Sequence, residues 1–394
     1  MTVCNSANEL PEELKETYFK ARTEFQEKGV FFLEDTYILN IQERFSPYPK
    51  ILTELLAGAR MLRADKEYAF YALFTYYVLI QRELYKRFSH LFDFDDKRHP
   101  YLAFFILIPT IENTYNTLSK RGLPTDIIEN VLCHYEECVF IYEERVGQRG
   151  LNKRYFNWLG HYVDCKILNI DRLRFEIRKV GDPVYIIESK RDGERILLYC
   201  GGEMNADGLC KGASTDSGEQ NFIAEFFETD EEFTGHRVLE NGRCSPKRES
   251  FKKSEYTLIL SPSDMCLSVH IPPKSKGKFT KEVCIENYKR AVSVFKKHYP
   301  EYSFKAMHCK SWLLSQELKD VLGENSNIIA FQKSYRIYPT PSKGEDVFNF
   351  VFKLKFKSFN DMPEDTSLQR SIKKLYLDGK HVYEYGGIFL IDEL

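Results

Sequence analysis

Met265-Cys-Leu-Ser-Val-His-Ile271 runs directly into Pro272-Pro-Lys-Ser-Lys-Gly-Lys278, and a helical period from Thr280 to Tyr299 follows. Met265, Leu267, Val269 and Ile271 alternate with Cys266, Ser268 and His270, the period of a strand with two unlike faces. A second strand, Phe304-Lys-Ala-Met-His-Cys309, then leads into Ser311-Trp-Leu-Leu314. Two strands joined through a helix predict a parallel pair, because parallel neighbours need a long crossover. The loop ahead of the helix carries Lys274, Ser275, Lys276, Gly277 and Lys278. Free backbone amides, three lysines and a helix N-terminus suit an anion of pyrophosphate size. A phosphate-bearing cofactor is therefore the first expectation, and an ordinary exposed turn the alternative.

His270 and His308 both fall at the C-terminal ends of these strands. Ligands of α/β sheets lie beyond such ends, so parallel neighbours would bring both imidazoles to one cleft. An imidazole titrates near neutrality and can take the proton of an ammonium nucleophile. The competing reading for each is a histidine bonded to backbone. Ser311 admits three roles: helix N-cap, hydrogen-bond donor to a cofactor, or nucleophile. Its flanks, Lys310 and Trp312, form no nucleophile elbow. Cys309 reads as a small hydrophobe.

A length of 394 residues predicts two domains. Net charge is −2, from 56 basic and 58 acidic residues, which gives no nucleic-acid or membrane signal. The apolar runs Tyr68–Gln81 and Tyr101–Ile111 are shorter than a bilayer span and predict buried helices. Ten scattered cysteines with no framework spacing predict reduced thiols in a cytoplasmic protein. Cys133, His134 and Cys138 have ligand-like spacing on a helix, but no second pair completes a site, so no metal is expected.

The expected class is α+β with α/β character: an all-α domain over 1–168, then a mixed-sheet domain over 169–394. Helices are expected at Leu10–Gln26, Pro49–Leu62, Lys66–Phe88, His99 to Lys120 with a kink or a break at Pro109, Thr125–Val146 and Asn152–Lys166. The pattern changes at Arg172–Val180, which alternates strictly. Val184–Ser189 and Arg195–Cys200 form a hairpin across Arg191-Asp-Gly193. Gly201–Gln220 reads as a long loop, Phe222–Phe227 as a strand, and Arg237–Arg248 has no pattern. Leu313–Leu322 is expected as a helix. Val347–Phe359 is expected as a strand with Phe348, Phe350, Phe352, Leu354 and Phe356 on one face. Lys353, Lys355 and Lys357 would take the other, most simply as a solvated edge. Thr366–Leu377 is expected as a helix and Gly386–Ile391 as a closing strand.

Ser-Asp-Met-Cys-Leu-Ser-Val-His-Ile-Pro (263–272), Cys-Lys-Ser-Trp-Leu-Leu (309–314), Asn-Ile-Ile-Ala-Phe-Gln (327–332) and Asp-Thr-Ser-Leu-Gln-Arg (365–370) resemble the acyltransferase-domain proteins of Gram-positive bacteria. These join a helical N-terminal domain to a GNAT-like C-terminal one. The resemblance implies a splayed parallel strand pair that binds acetyl-CoA or another acyl-CoA. Ser268, Val269 and His270 would then pair with pantetheine, and Lys274 to Lys278 would meet the pyrophosphate. GNAT enzymes usually carry Arg/Gln-x-x-Gly-x-Gly/Ala at that loop; here there are Pro272, Pro273 and a single glycine, Gly277. The function implied is acyl transfer to a small-molecule or peptide amine, which attacks the thioester after losing a proton to His270 or His308. A non-catalytic binding or regulatory protein on a degenerate GNAT scaffold is the alternative.

Overall fold

The computed structural model describes residues 7–213, 221–272, 277–352 and 356–394. The chain divides into two compact units between Leu168 and Asn169.

The first unit is helical: α1 (Glu12–Lys28), α2 (Asp35–Phe45), α3 (Leu52–Ala64), α4 (Lys66–Ile80), α5 (Arg82–Phe88), α6 (Leu102–Leu107), α7 (Thr110–Lys120), α8 (Thr125–Val146) and α9 (Lys153–Val163). Pro109 separates α6 from α7, as a residue without an N–H must. The helix expected over Lys66–Phe88 also breaks, at Gln81. There the Gln81 amide turns back onto the Tyr77 carbonyl and Thr17. Arg82 is fixed by Asp164 and the Gly160 carbonyl. Helix α2 had no counterpart in the sequence reading. His134 is fully buried, accepts a hydrogen bond from the Trp158 indole at 2.9 Å and lies 3.4 Å from the Cys138 thiol. His134 and Cys138 therefore serve packing, while Cys133 is exposed. Among the described residues no group of three or more His, Cys, Asp or Glu side chains could hold a metal ion. No helix among them is long and apolar enough to cross a membrane.

The second unit contains β1 (Ile167–Ile170), β2 (Leu173–Lys179), β3 (Val184–Ser189), β4 (Arg195–Tyr199), β5 (Gly202–Met204), β6 (Phe222–Ala224), β7 (Phe226–Glu228), β8 (Glu232–Val238), β9 (Cys244–Lys252), β10 (Tyr256–Leu260), β11 (Met265–His270), α10 (Lys281–His298), β12 (Phe304–Ser311), α11 (Asn327–Gln332), β13 (Arg336–Pro339), α12 (Ser367–Leu377) and β14 (Tyr385–Leu390). One sheet runs β1-β2-β11-β12-β14-β13, and a second runs β10-β3-β4-β8-β7 with β9 on β8. In the first sheet β11 and β12 are parallel, while β2, β14 and β13 pair antiparallel to their neighbours.

Helix α10 forms for local reasons. Thr280 caps it by accepting from the Val283 amide, and Lys296, Lys297 and His298 oppose the dipole at its end. Cys284, Tyr288, Ala291 and Phe295 make one buried stripe. Tyr288 stacks edge-on against Phe175 of β2, so the helix covers the apolar face of the first sheet. The other face packs on the second sheet through Cys266, Ala306, Tyr338, Ile388 and Leu390 against Val184, Ile186, Leu197 and Tyr199.

The structure departs from the expectations at four places here. Phe348–Phe352 is a π-helical turn, not a strand. Phe348 and Phe352 are four residues apart, a spacing a helical turn also brings to one side, and both join Ile372 and Tyr376 in an apolar cluster while Phe350 stays exposed. Lys353 and Lys355 lie outside the described residues. Trp312–Leu314 and Gln316–Asp320 are two 3₁₀ segments rather than one α-helix. The amides of Gln316 and Gln332 donate to the carbonyls of Leu313, Leu314 and Ser315, which removes the acceptors an α-helix would use. Arg237–Arg248, without pattern in the sequence, belongs to the β8–β9 hairpin, turning at Gly242 with φ +75°. The strand expected at Phe222–Phe227 is split at Glu225 into β6 and β7.

Strands β13 and β14 are adjacent in the sheet, yet the chain makes the whole excursion 340–384 between them. That excursion holds α12, capped by Thr366 and Gln369 in a reciprocal box, and most of a separate apolar cluster around Val347, Phe352, Ile372 and Tyr376. Its neck is closed by Thr340, whose hydroxyl donates to the Glu384 carbonyl at 2.7 Å.

Candidate functional site

The parallel ladder between β11 and β12 runs from Met265 and Phe304 to Ser268 and His308, and ends there. Val269 and His270 stay paired with Phe175 and Arg174 of β2. Cys309, Lys310 and Ser311 stay paired with Gly387, Gly386 and Tyr385 of β14. Each strand follows its outer neighbour, so the pair opens as a fork just past Ser268 and His308. Backbone amides and carbonyls on the inner edges of a fork need partners from elsewhere.

Register sets what faces the fork. Glu176, Ser268 and His308 lie side by side across three strands, with Arg174 and His270 in the next row. The structure thus brings His270 and His308 onto one face of neighbouring parallel strands, but in different surroundings. The His270 side chain is about a third exposed, and its Nε2 lies 3.0 Å from Glu176 Oε2. Glu176 is buried. His308 is fully buried, with Nε2 2.8 Å from Asp182 Oδ2 and 2.9 Å from the Tyr338 hydroxyl. Tyr338 donates to the same carboxylate oxygen at 2.5 Å.

Burial raises the Asp182 carboxyl, but the hydrogen bonds from His308 and Tyr338 outweigh it and hold the group at about 2. Burial pushes His308 the other way, down, against the pull of Asp182. The consistent state is an ionised Asp182 that accepts from a neutral imidazole N–H and from the phenol. In that state Nδ1 of His308 carries the lone pair, and it is buried with no hydrogen-bond partner among the described residues. Burial drives the Cys309 thiol well up, which fits a packing role.

Ser311 accepts from the Leu313 amide at 3.1 Å and so caps the turn Trp312–Leu314. Gly277 and Lys278 are exposed, and Gly277 adopts φ +100°. Lys274, Ser275 and Lys276 lie outside the described residues. A cleft of about 640 Å³ between β4, β8 and β13 is lined by none of the fork residues.

Sequence reasoning missed Asp182, Tyr338 and Glu176. Asp182 sits in Gly181-Asp-Pro183, which reads as a turn, and Tyr338 is a tyrosine among 25. Glu176 was legible as the polar face of an alternating strand, but its neighbour was not, because pairing register does not show in a single strand.

Residues 167–389 match the model of the GNAT-like C-terminal domain family. The match covers more than half of the chain, which therefore belongs to that family. No curated protein matches it. Three solved structures share its fold over nearly the whole length. One is an acyltransferase mutant in complex with octanoyl-CoA, at 16% identity and TM-score 0.61, covering 99% of this chain and 98% of that one. Another is an acyltransferase in complex with decanoyl-CoA and teicoplanin, at 16% identity, TM-score 0.59 and the same coverage. A third is an acyltransferase in complex with CoA and 10C-Teicoplanin, at 16% identity and TM-score 0.61, again with 99% and 98% covered.

Proposed function

We propose that the chain is an acyl-CoA-dependent N-acyltransferase. The observation that carries this reading is the fork: two parallel strands that separate at Ser268 and His308. An extended pantetheine chain entering that gap would lie along the inner edge of β11, from the last rung at Ser268 past Val269 and His270. The thioester carbonyl would then face strand amides, which polarise it as charge develops on the oxygen. The solved structures with acyl-CoA on the same fold support a thioester donor here.

An amine attacks the thioester carbon only as a free base. His270, reachable and oriented by Glu176, takes that proton; the carbon–sulfur bond then breaks and CoA leaves as the thiolate, which regains a proton. His308 does not reach the acceptor from its buried position. It acts with Asp182 and Tyr338 as the fixed floor under the fork. The acceptor is a small-molecule or peptide amine.

Incubating the full chain with acetyl-, octanoyl- or decanoyl-CoA and an amine panel tests the reading, with free thiol release as readout. Thiol release that depends on both the amine and His270 is expected. Coenzyme binding without turnover on any amine would favour the non-catalytic alternative, for which the altered loop at Pro272 speaks. No melting shift with CoA or acyl-CoA would refute both donor and enzyme.

A further inference from the structure

Arg172, in the turn between β1 and β2, is only 9% exposed, yet its Nε and Nη1 have no hydrogen-bond partner among the described residues. The adjacent carboxylate, Asp171, is taken by Arg290. Burial lowers the affinity of this guanidinium for its proton, but an arginine does not give it up at physiological pH. A buried cation with unanswered donors is costly unless an anion meets it.

Its position says which anion. The guanidinium carbon lies 5.2 Å from the centre of the Phe279 ring. Phe279 immediately precedes Thr280, the N-cap of the long helix α10. The Arg172 amide donates to Asn287 of the same helix at 2.9 Å, and Phe279 itself packs on Phe331 of α11. The Arg172 backbone is thus tied to α10, and its guanidinium lies over Phe279, beside the start of that helix. That helix end already attracts an anion: the Glu282 carboxyl is drawn down, first by its own backbone N–H and then by Thr280. The connection from β11 is poor in amides for this purpose, since Pro272 and Pro273 have none and Gly277 is its single glycine.

We propose that Arg172 is a coenzyme-binding residue, whose guanidinium, together with the first-turn amides of α10, holds the diphosphate of CoA. The inference rests on the acyl-CoA reading above. Arginine's planar donors match phosphate oxygens two at a time, so one buried guanidinium replaces amides that a glycine-rich loop would supply. Glu282 is the internal competitor that the diphosphate displaces.

Calorimetric titration of the full chain with CoA, pantetheine and inorganic pyrophosphate tests this. Arg172→Met is expected to weaken CoA and pyrophosphate by about tenfold or more and to leave pantetheine unchanged. Glu282→Gln, at an exposed site, is expected to tighten CoA and pyrophosphate. Should Arg172→Met not fold, Arg172→Lys carries the test: it keeps the charge, loses the planar donors and is expected to bind CoA several-fold more weakly. Wild-type affinity for CoA in a folded Arg172 variant overturns the inference while the acyl-CoA reading stands. Equal losses for pantetheine and CoA also overturn it, because they mark a collapsed site. If wild type binds pyrophosphate through Arg172 but not CoA, the coenzyme assignment is overturned together with the acyl-CoA reading.

Discussion

Asp182 is the residue on which the geometry beneath the fork depends, since His308 and Tyr338 both hydrogen-bond to one of its oxygens. Its folded value of about 2 lies below the ordinary 3.8. A lowered carboxyl adds stability in full above about pH 4, and that share is lost as pH falls towards 2. Asp182→Asn should therefore be less stable than wild type by about 2 kcal/mol at neutral pH, and the gap should close on acidification. Denaturant unfolding followed from pH 7 to 2 checks this; a gap independent of pH would refute it. At His270 the consequence is kinetic. His270→Gln should lower turnover by about a hundredfold or more, with coenzyme affinity unchanged. Measured kcat alongside Kd for CoA separates the two. A loss confined to Kd would move His270 from proton transfer to binding.

At the scale of elements, much was legible. The alternation in Met265–His270 and the helical stripe of α10 gave the right structures because local period and burial agree. The parallel pairing of β11 with β12 followed from the connecting helix alone. What was not legible depended on partners distant in sequence. The fork is visible only where the pairing of β11 with β12 ends while their pairing with β2 and β14 continues, and such register does not show in either strand alone. The aromatic run at 348–352 misled because a period of two also places residues four apart on one side, and tertiary packing chose the latter. Strand β14 shows how tight such packing is. A Cβ built on Gly386 would stand 2.1 Å from the Tyr338 ring. Gly386→Ala should therefore displace Tyr338 from Asp182 and cost about 3 kcal/mol. Thermal unfolding would show it, and a melting temperature equal to wild type would be the contrary result. By comparison, Thr366→Ala removes only the cap of α12 and should cost about 1 kcal/mol.

For the whole molecule, the boundary between units falls within β1, whose residues Ile167 and Leu168 precede it while Asn169 and Ile170 follow. A fragment that starts at Lys166 keeps this strand whole. One that starts at Asp171 leaves β2 as a bare edge. The first should give a cooperative unfolding transition and the second should aggregate; similar solubility of both would contradict this role for β1. Much of the helical unit was readable from the sequence because α1, α4 and α8 are long and periodic, whereas the shorter α2 was missed. The break at Gln81 was not readable either, since a side chain bonding back onto the preceding turn looks like any other polar residue. The excursion 340–384 has a consequence in time rather than in space. Strands β13 and β14 cannot register until a long loop has closed, and loop closure is an entropic barrier that local contacts do not offset. The excursion's own cluster can form beforehand, around Phe352, Ile372 and Tyr376. It can also open afterwards while the sheet stays intact, with Thr340 and Glu384 as the clasp. Amides of α12 should then exchange with solvent deuterium sooner than those of β12 and β14, which makes this excursion a foldon of its own.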